Sequence, residues 1–304
     1  MKTIICTGDS HTWGQGIPGL ESTFSPPVAV GDLRLVSFKY DSYVNLLRHM
    51  VNQKVVGSAQ EVEGGLLCSK VNAKLIRIQL LSSQAASAAA IYIDGALQRE
   101  VSLKKGIYHT LSIFCDKDGE HELEIHTEWG AVSLYRIELY SGDAAVVNCG
   151  IGSCPTFKFY TDYWDTYVTE LRPSVVVLEP HTINDWLAGD PPSVHNKRLK
   201  SMVEKLRAAD CDVVMLTVSP ILGSQDIPFN KVAYNLYVEE GRRVANECGI
   251  SICDANAVMT RRMEGLTEDE SRSLLFNDNW HVNELGHRIY AESAYDTLVQ
   301  NNLI

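Results

Sequence analysis

What this sequence lacks narrows its class before any motif is read. No run approaches the ~18 consecutive apolar residues of a membrane-spanning helix, so a membrane partner is not expected. Basic charge is in deficit: 27 Lys and Arg stand against 38 Asp and Glu, a formal net charge of -11. A nucleic-acid binder needs a basic face, and this chain offers none. The first apolar run starts directly after Met1-Lys2, so no leader segment is expected and the expected location is the cytoplasm. The eight cysteines follow no framework spacing, and several lie in strand-like runs (Cys6, Cys149, Cys253). They read as buried free thiols and not as disulfides.

Two motifs are present only in outline. Gly14-Gln15-Gly16-Ile17-Pro18-Gly19 matches the dinucleotide pattern, but that fingerprint must open a helix. Pro18 and the following Glu21–Pro27 stretch argue against one. His121-Glu122 and His126 suggest zinc without its spacing. Five residues apart on a strand, the two histidines face opposite ways. Cys149 and Cys154 are too few for a structural metal site. No metal or organic cofactor is expected.

What is present is an ordinary globular composition, 45% hydrophobic and 21% charged over 304 residues, enough for one large domain or two ordinary ones. The chain opens on a strand, Thr3–Thr7, that runs into Gly8-Asp9-Ser10. This places one serine at a strand's carboxyl end, where open α/β sheets bind ligands. A helix follows over 43–51, apolar at helical spacing, with Asp41 or Ser42 as its N-cap. From about Lys54 to Tyr140 the texture is all-β. Strands are expected at 75–80, 90–93, 111–115, 121–127 and 132–140, with turns at Asp94-Gly95 and Asp118-Gly119. Short strands at regular spacing suggest a β-sandwich.

Then α/β alternation resumes. Strands are expected at 145–148, 175–179, 212–218 and 250–254, and helices at 161–171, 195–209, 231–248 and 283–299. Alternation of this kind implies βαβ units and a parallel sheet. The runs Val175–Leu178 and Val213–Leu216 suit central strands buried on both faces.

Four stretches carry chemistry. A serine hydroxyl needs a base, a group that orients the base, and donors for the oxyanion. Ser10 alone is unremarkable. Asn148–Ser153 is a small-residue turn after a strand; it could aim N–H groups at an anion, or simply be a tight turn. In Thr182–Trp186, Asn184 could place its amide beside the reaction centre, or form an Asx turn or cap. Asp278-Asn279-Trp280-His281 can supply an imidazole and its carboxylate from one loop, or be a capping Asp beside a surface His. Trp13, Trp186 and Trp280 flank these stretches. They are either core aromatics or a rim that stacks on a sugar or holds an acyl group.

Taken together and in this order, the four stretches resemble the SGNH (GDSL) hydrolase family. The flanks Thr12-Trp13-Gly14 and Asn283-Glu284-Leu285-Gly286-His287 are similar too. Two departures stand out. Thr182 replaces the usual glycine of the third block, and Ser153, with Gly152 before it, occupies the place of the oxyanion glycine. A backbone N–H serves from either residue.

The resemblance implies a flavodoxin-like three-layer α/β/α sandwich with a five-stranded parallel sheet over 1–53 and 145–304. An all-β (β-sandwich) insertion would occupy 54–144. That insert resembles the β-sandwich accompanying carbohydrate esterases of the family 2 type. The implied activity is a serine esterase cleaving short acyl esters, O-acetyl on carbohydrates above all. Ser10 would be the nucleophile, His281 the base and Asp278 its orienting acid. Ser10, Gly152 or Ser153, and Asn184 would line the oxyanion hole. The expected partner is a small-molecule or oligosaccharide ester. The competing readings are a lysophospholipase or thioesterase of the same family, and a carbohydrate-binding protein on a relict hydrolase fold.

Overall fold

The computed structural model describes residues 1–15, 42–51, 54–58, 66–106, 108–223 and 230–304. The glycine pattern at 14–19 falls largely outside these residues, as does Asp41; Ser42 stands at the N-cap of its helix. The chain divides into two compact units. One is built on Asn52–Ala145, the other on the described residues of 2–51 and on Val146–Ile304.

The second unit is an α/β sheet. Its strands are β1 (Lys2–Gly8), β8 (Ala144–Gly150), β9 (Val175–Leu178), β10 (Asp212–Leu216) and β11 (Ser251–Cys253), numbered over the whole chain. Their order is β11-β10-β9-β1-β8, and β1, β9, β10 and β11 pair in parallel. This is the doubly wound order in which β1 lies between the second and third strands of the sheet. The chain reverses direction across the sheet between β1 and β9, which is where such sheets bind ligands.

The sheet is buried on both faces. Ile4, Cys6, Val175, Val177, Val214 and Leu216 form one cluster with α2 (Tyr43–Met50) and α9 (Glu284–Gln300). The alternate residues Ile5, Val176, Leu178 and Met215 are equally buried outside that cluster. So are Leu199, Met202 and Val203 of α5 (Pro192–Ala208). Helices therefore cover both faces, as the continuous apolar strand runs require.

The helices depart from expectation in instructive places. The segment expected at 161–171 starts earlier, as α3 (Thr156–Lys158), and continues in π-helical turns over Phe159–Tyr163 and Asp165–Thr169. Two helices give no apolar period and were not expected: α7 (Ala255–Met263) and α8 (Glu268–Leu275). Both are set by their caps. Asp254 accepts from Ala257 N, and Thr267 and Glu270 form a reciprocal capping box. Each cap satisfies orphan N–H groups of a first turn. Earlier in the chain stand α4 (Thr182–Ala188) and α6 (Tyr234–Cys248).

The first unit is all-β, but its strands do not split into two sheets. β2 (Lys54–Ser58), β3 (Leu66–Ser82), β4 (Ala86–Ile93), β5 (Ala96–Lys104), β6 (Tyr108–Trp129) and β7 (Val132–Ser141) form one antiparallel sheet, ordered β2-β7-β3-β6-β4-β5. The reason is strand length. What reads as separate strands at 111–115 and 121–127 is one 22-residue strand.

Asp94-Gly95 is the expected tight turn, with both residues at positive φ. Asp118-Gly119 is not a turn but part of a bulge. Ala73 pairs with Gly119 and Leu75 with Phe114, so residues 115–118 stand opposite Lys74 alone. Lys74 Nζ donates to the carbonyls of Cys115 and Asp116, at 2.6 Å each, and satisfies backbone that the bulge frees. Edge strand β5 is mostly exposed and polar, which is why apolar periodicity missed it. All eight cysteines are free thiols. Among the described residues no helix is long and apolar enough to cross a membrane.

Candidate active site

Ser10 is the first residue of a four-residue helix, α1 (Ser10–Trp13), whose N-cap is Asp9. Two glycines permit this tight turn. At Gly8 a Cβ would lie 2.2 Å from both Glu179 Oε2 and Thr12 Oγ1. At Gly150 it would lie 2.2 Å from Trp13 N. The ends of β1 and β8 therefore press directly against α1 and fix it over the sheet edge. Ile151 N closes the junction by donating to Gly8 O at 2.9 Å.

His281 comes from the loop before α9. That loop is held closed by a bridge between Phe276 and Val282 and by Asn277 N donating to His281 O at 2.9 Å. Asn283 caps α9 through Leu285 N and Gly286 N. The His281 ring then meets Ser10: Oγ to Nε2 is 3.0 Å, between residues 271 apart in sequence. On its other side Nδ1 lies 2.7 Å from Asp278 Oδ2. Asp278 Oδ1 accepts from Trp280 N and His281 N, each at 2.7 Å.

With three donors on one carboxylate, the charged form is favoured. Partial burial opposes ionisation, but the His281 ring and the two N–H groups win and push Asp278 down to about 2. An ionised Asp278 takes its bond from Nδ1–H. Nε2 is then the lone pair that accepts from Ser10 Oγ.

Behind Ser10 lies a buried polar network that no local pattern announces. Asp9 Oδ1 accepts from His11 N at 3.0 Å and from His11 Nδ1 at 2.9 Å. Asp9 Oδ2 accepts from Asn184 Nδ2 at 2.8 Å. Burial alone would raise the Asp9 pKa, but the His11 imidazole holds it below the usual range. Asp9 N donates to Glu179 Oε2 at 2.6 Å. Burial, then the Asp9 charge beside it, hold Glu179 well above the carboxylate range, as the neutral acid. The available signal was a glutamate closing an apolar strand, Leu178-Glu179-Pro180, and a histidine directly after the serine.

Asn184 itself sits on α4, just after β9, with neighbours Ile183, Asp185 and Trp186 buried and its own side chain partly exposed. Its bond to Asp9 uses one of two amide N–H groups and leaves the other as a donor. The next residue anchors the helix. Asp185 accepts from Thr156 N (2.8 Å), Thr156 Oγ1 (2.6 Å) and His195 Nδ1 (2.7 Å), all buried.

Gly152 is buried and Ser153 exposed, with Ser153 at φ 54. They form the turn directly after β8, the strand beside β1. Ser10 N, in the first turn of α1, belongs to the N–H groups that have no partner within their own helix.

The tryptophans divide. Trp186 is fully buried in a cluster with Ile183, Tyr234, Tyr237 and Val238, its Nε1 donating to Val232 O at 2.9 Å. Trp13 is 3% exposed. Neither offers a ring face to a sugar, so both are core residues and the expectation of a rim fails for them. The reason is tertiary: Trp186 lies on α4 and is covered by Tyr234, Tyr237 and Val238 of α6. Trp280 alone is partly exposed. Among the described residues no cluster of three His, Cys, Asp or Glu side chains is placed to hold a metal ion.

The sequence model of the GDSL-like lipase/acylhydrolase family matches residues 128–289, just over half of the chain. The chain belongs to this family. The match takes in Asn184, Asp278 and His281; Ser10 precedes it, across the all-β unit. Among solved structures, a peptidoglycan O-acetylesterase is similar at 16% identity, over 99% of this chain and 91% of its own, with a TM-score of 0.57. A member of the lipolytic G-D-S-L family from Veillonella parvula is similar at 13% identity, over 99% of this chain and 100% of its own, with a TM-score of 0.50. At such identities these likenesses concern the fold. No match to a curated protein was found.

Proposed function

We propose that this family member is a serine esterase that removes short acyl groups, O-acetyl on carbohydrates above all, through an acyl-enzyme. The observation that carries the reading is the chain Ser10 Oγ–His281 Nε2 (3.0 Å) and His281 Nδ1–Asp278 Oδ2 (2.7 Å). Ser10 Oγ attacks the acyl carbonyl while His281 Nε2 takes its proton. The resulting imidazolium is held by Asp278 and returns that proton to the departing alcohol. Water then attacks the acyl-Ser10 ester by the same route, and the carboxylic acid leaves.

Charge on the carbonyl oxygen would be met by Ser10 N, by the backbone N–H of Gly152 or Ser153, and by the free amide N–H of Asn184. Losing one such donor costs ~2.7–4 kcal/mol of transition-state stabilisation. The acetyl preference draws on the name of the O-acetylesterase that shares this fold. Trp280, beside His281 and partly exposed, is the aromatic available to a bound sugar.

The test is a chain-length series of p-nitrophenyl esters, run beside acetylated oligosaccharides. The proposal expects kcat/KM to be highest for acetyl and to fall towards octanoyl, with acetate released from the oligosaccharides. A steady rise from two to eight carbons would replace it with the lysophospholipase reading. No turnover of any ester would favour a relict hydrolase that binds carbohydrate.

A further inference from the structure

His11 follows the nucleophile in sequence, is 1% exposed, and touches both halves of the site. Its Nδ1 lies 2.9 Å from Asp9 Oδ1 and its Nε2 2.9 Å from the carbonyl oxygen of Trp280. A carbonyl oxygen can only accept, so Nε2 carries a hydrogen. Asp9 is surrounded by donors: His11 N on one oxygen and Asn184 Nδ2 on the other. A carboxylate in that setting is ionised and accepts from Nδ1 as well. Both ring nitrogens therefore donate.

We propose that His11 is a buried imidazolium that acts as a positioning residue, pinning the Trp280 carbonyl, and with it His281, to the Ser10 turn. The proposal rests on the Ser10–His281–Asp278 reading of the site. The pin joins the two ends of the chain at the point where they must meet, since Trp280 directly precedes the base and Asp9 directly precedes the nucleophile.

The His11 and His281 ring centroids are 5.3 Å apart. The other groups that face His11 are Asp9 on its own turn, Asp278 from the base loop, and His287 and Tyr290 from α9. His287 is neutral and buried, and Tyr290 keeps its proton, so Asp9 and Asp278 are the charges that balance the imidazolium.

Two measurements test this. The first is the steady-state kinetics of His11→Gln on p-nitrophenyl acetate. That side chain can donate to Trp280 O or to Asp9 but carries no charge and cannot bridge both. The pin orients the base and touches no substrate, so kcat should fall by about 10-fold or more while KM stays within about 2-fold. An unchanged kcat in a folded His11→Gln protein overturns the proposal. The second needs no change at His11. In the Ser10→Ala protein, ¹⁵N-labelled histidine spectra at pH 7 should include an imidazole protonated on both nitrogens that disappears in a His11→Gln, Ser10→Ala double variant, which assigns it to His11. A neutral His11 tautomer there also overturns it. Failure of the underlying reading would show separately, as esterase activity retained in Ser10→Ala.

Discussion

His287 should make the fold acid-sensitive by an amount that can be calculated. It lies on α9 and is fully buried. Its Nδ1 accepts from Tyr43 N at 3.3 Å, and its Nε2 donates to Gln15 O at 3.0 Å. It is thus the neutral tautomer with hydrogen on Nε2. Burial, followed by the nearby His11 and His281, lowers its pKa from 6.5 to about 3. In the unfolded chain the same imidazole titrates near ~6.5. Below that pH the unfolded state binds a proton that the folded state refuses. The stability contributed by the depressed pKa is complete above pH 6.5 and is lost as pH falls from 6.5 towards 3. Each pH unit in that window costs about 1.4 kcal/mol per group, so moving from pH 6.5 to 5 removes about 2 kcal/mol through His287 alone.

The perturbation is His287→Gln, whose amide can accept from Tyr43 N and donate to Gln15 O but does not titrate. Its stability at pH 7 should be lower than that of the parent protein, because a planar ring is replaced by a flexible chain. Its further loss between pH 7 and 5 should be about 2 kcal/mol smaller. Urea unfolding followed by tryptophan fluorescence, at both pH values, measures this. All other titrating groups are common to both proteins and cancel in the difference. Equal losses would show that His287 is protonated in the folded state or exposed to solvent, and would refute the reasoning.

Other expectations follow from packing. Gly150→Ala places a methyl 2.2 Å from Trp13 N and 2.5 Å from Thr12 C. It must displace the helix that carries Ser10, and should cost ~1–3 kcal/mol by overpacking together with a fall in kcat; unchanged thermal unfolding and activity would mean that β8 does not abut α1. Trp186→Ala should lower stability by ~3–5 kcal/mol, whereas Trp280→Ala should raise KM for oligosaccharide esters with a smaller change in thermal unfolding. The reverse pattern would return Trp186 to the substrate.

The parts of the fold that the sequence made legible are those written in local pattern. The valine-rich β9 and β10 announce a sheet buried on both faces, because no solvent face imposes alternation. Ser10, Asp278 and His281 were legible because their blocks are short and ordered, and because Asp278 and His281 share one loop. The Asp9–Asn184 bond was not, since its partners stand 175 residues apart and neither side chain has a spacing that implies the other. Trp186 misled because an indole beside a chemical motif is as apolar as one in a core, and only tertiary packing separates them. α8 was hidden for the opposite reason. Its eight residues, Glu-Asp-Glu-Ser-Arg-Ser-Leu-Leu, are mostly polar, so the helix is set by its capping box and not by an apolar stripe. The Asp118-Gly119 pair shows that a turn signal marks a place where the backbone can deviate, and that a bulge serves as well as a reversal.

The central claim is that Ser10 is the nucleophile, activated across the 3.0 Å contact to His281 Nε2. It is tested most directly by covalent capture. The protein is treated with a fluorophosphonate, which reacts with an activated serine and mimics the tetrahedral intermediate, and the modified peptide is identified by mass spectrometry. The account predicts one adduct per chain, on Ser10, formed in proportion to the loss of esterase activity and absent from His281→Ala. Stoichiometric labelling at another residue, or full esterase activity in a pure Ser10→Ala protein, would contradict it.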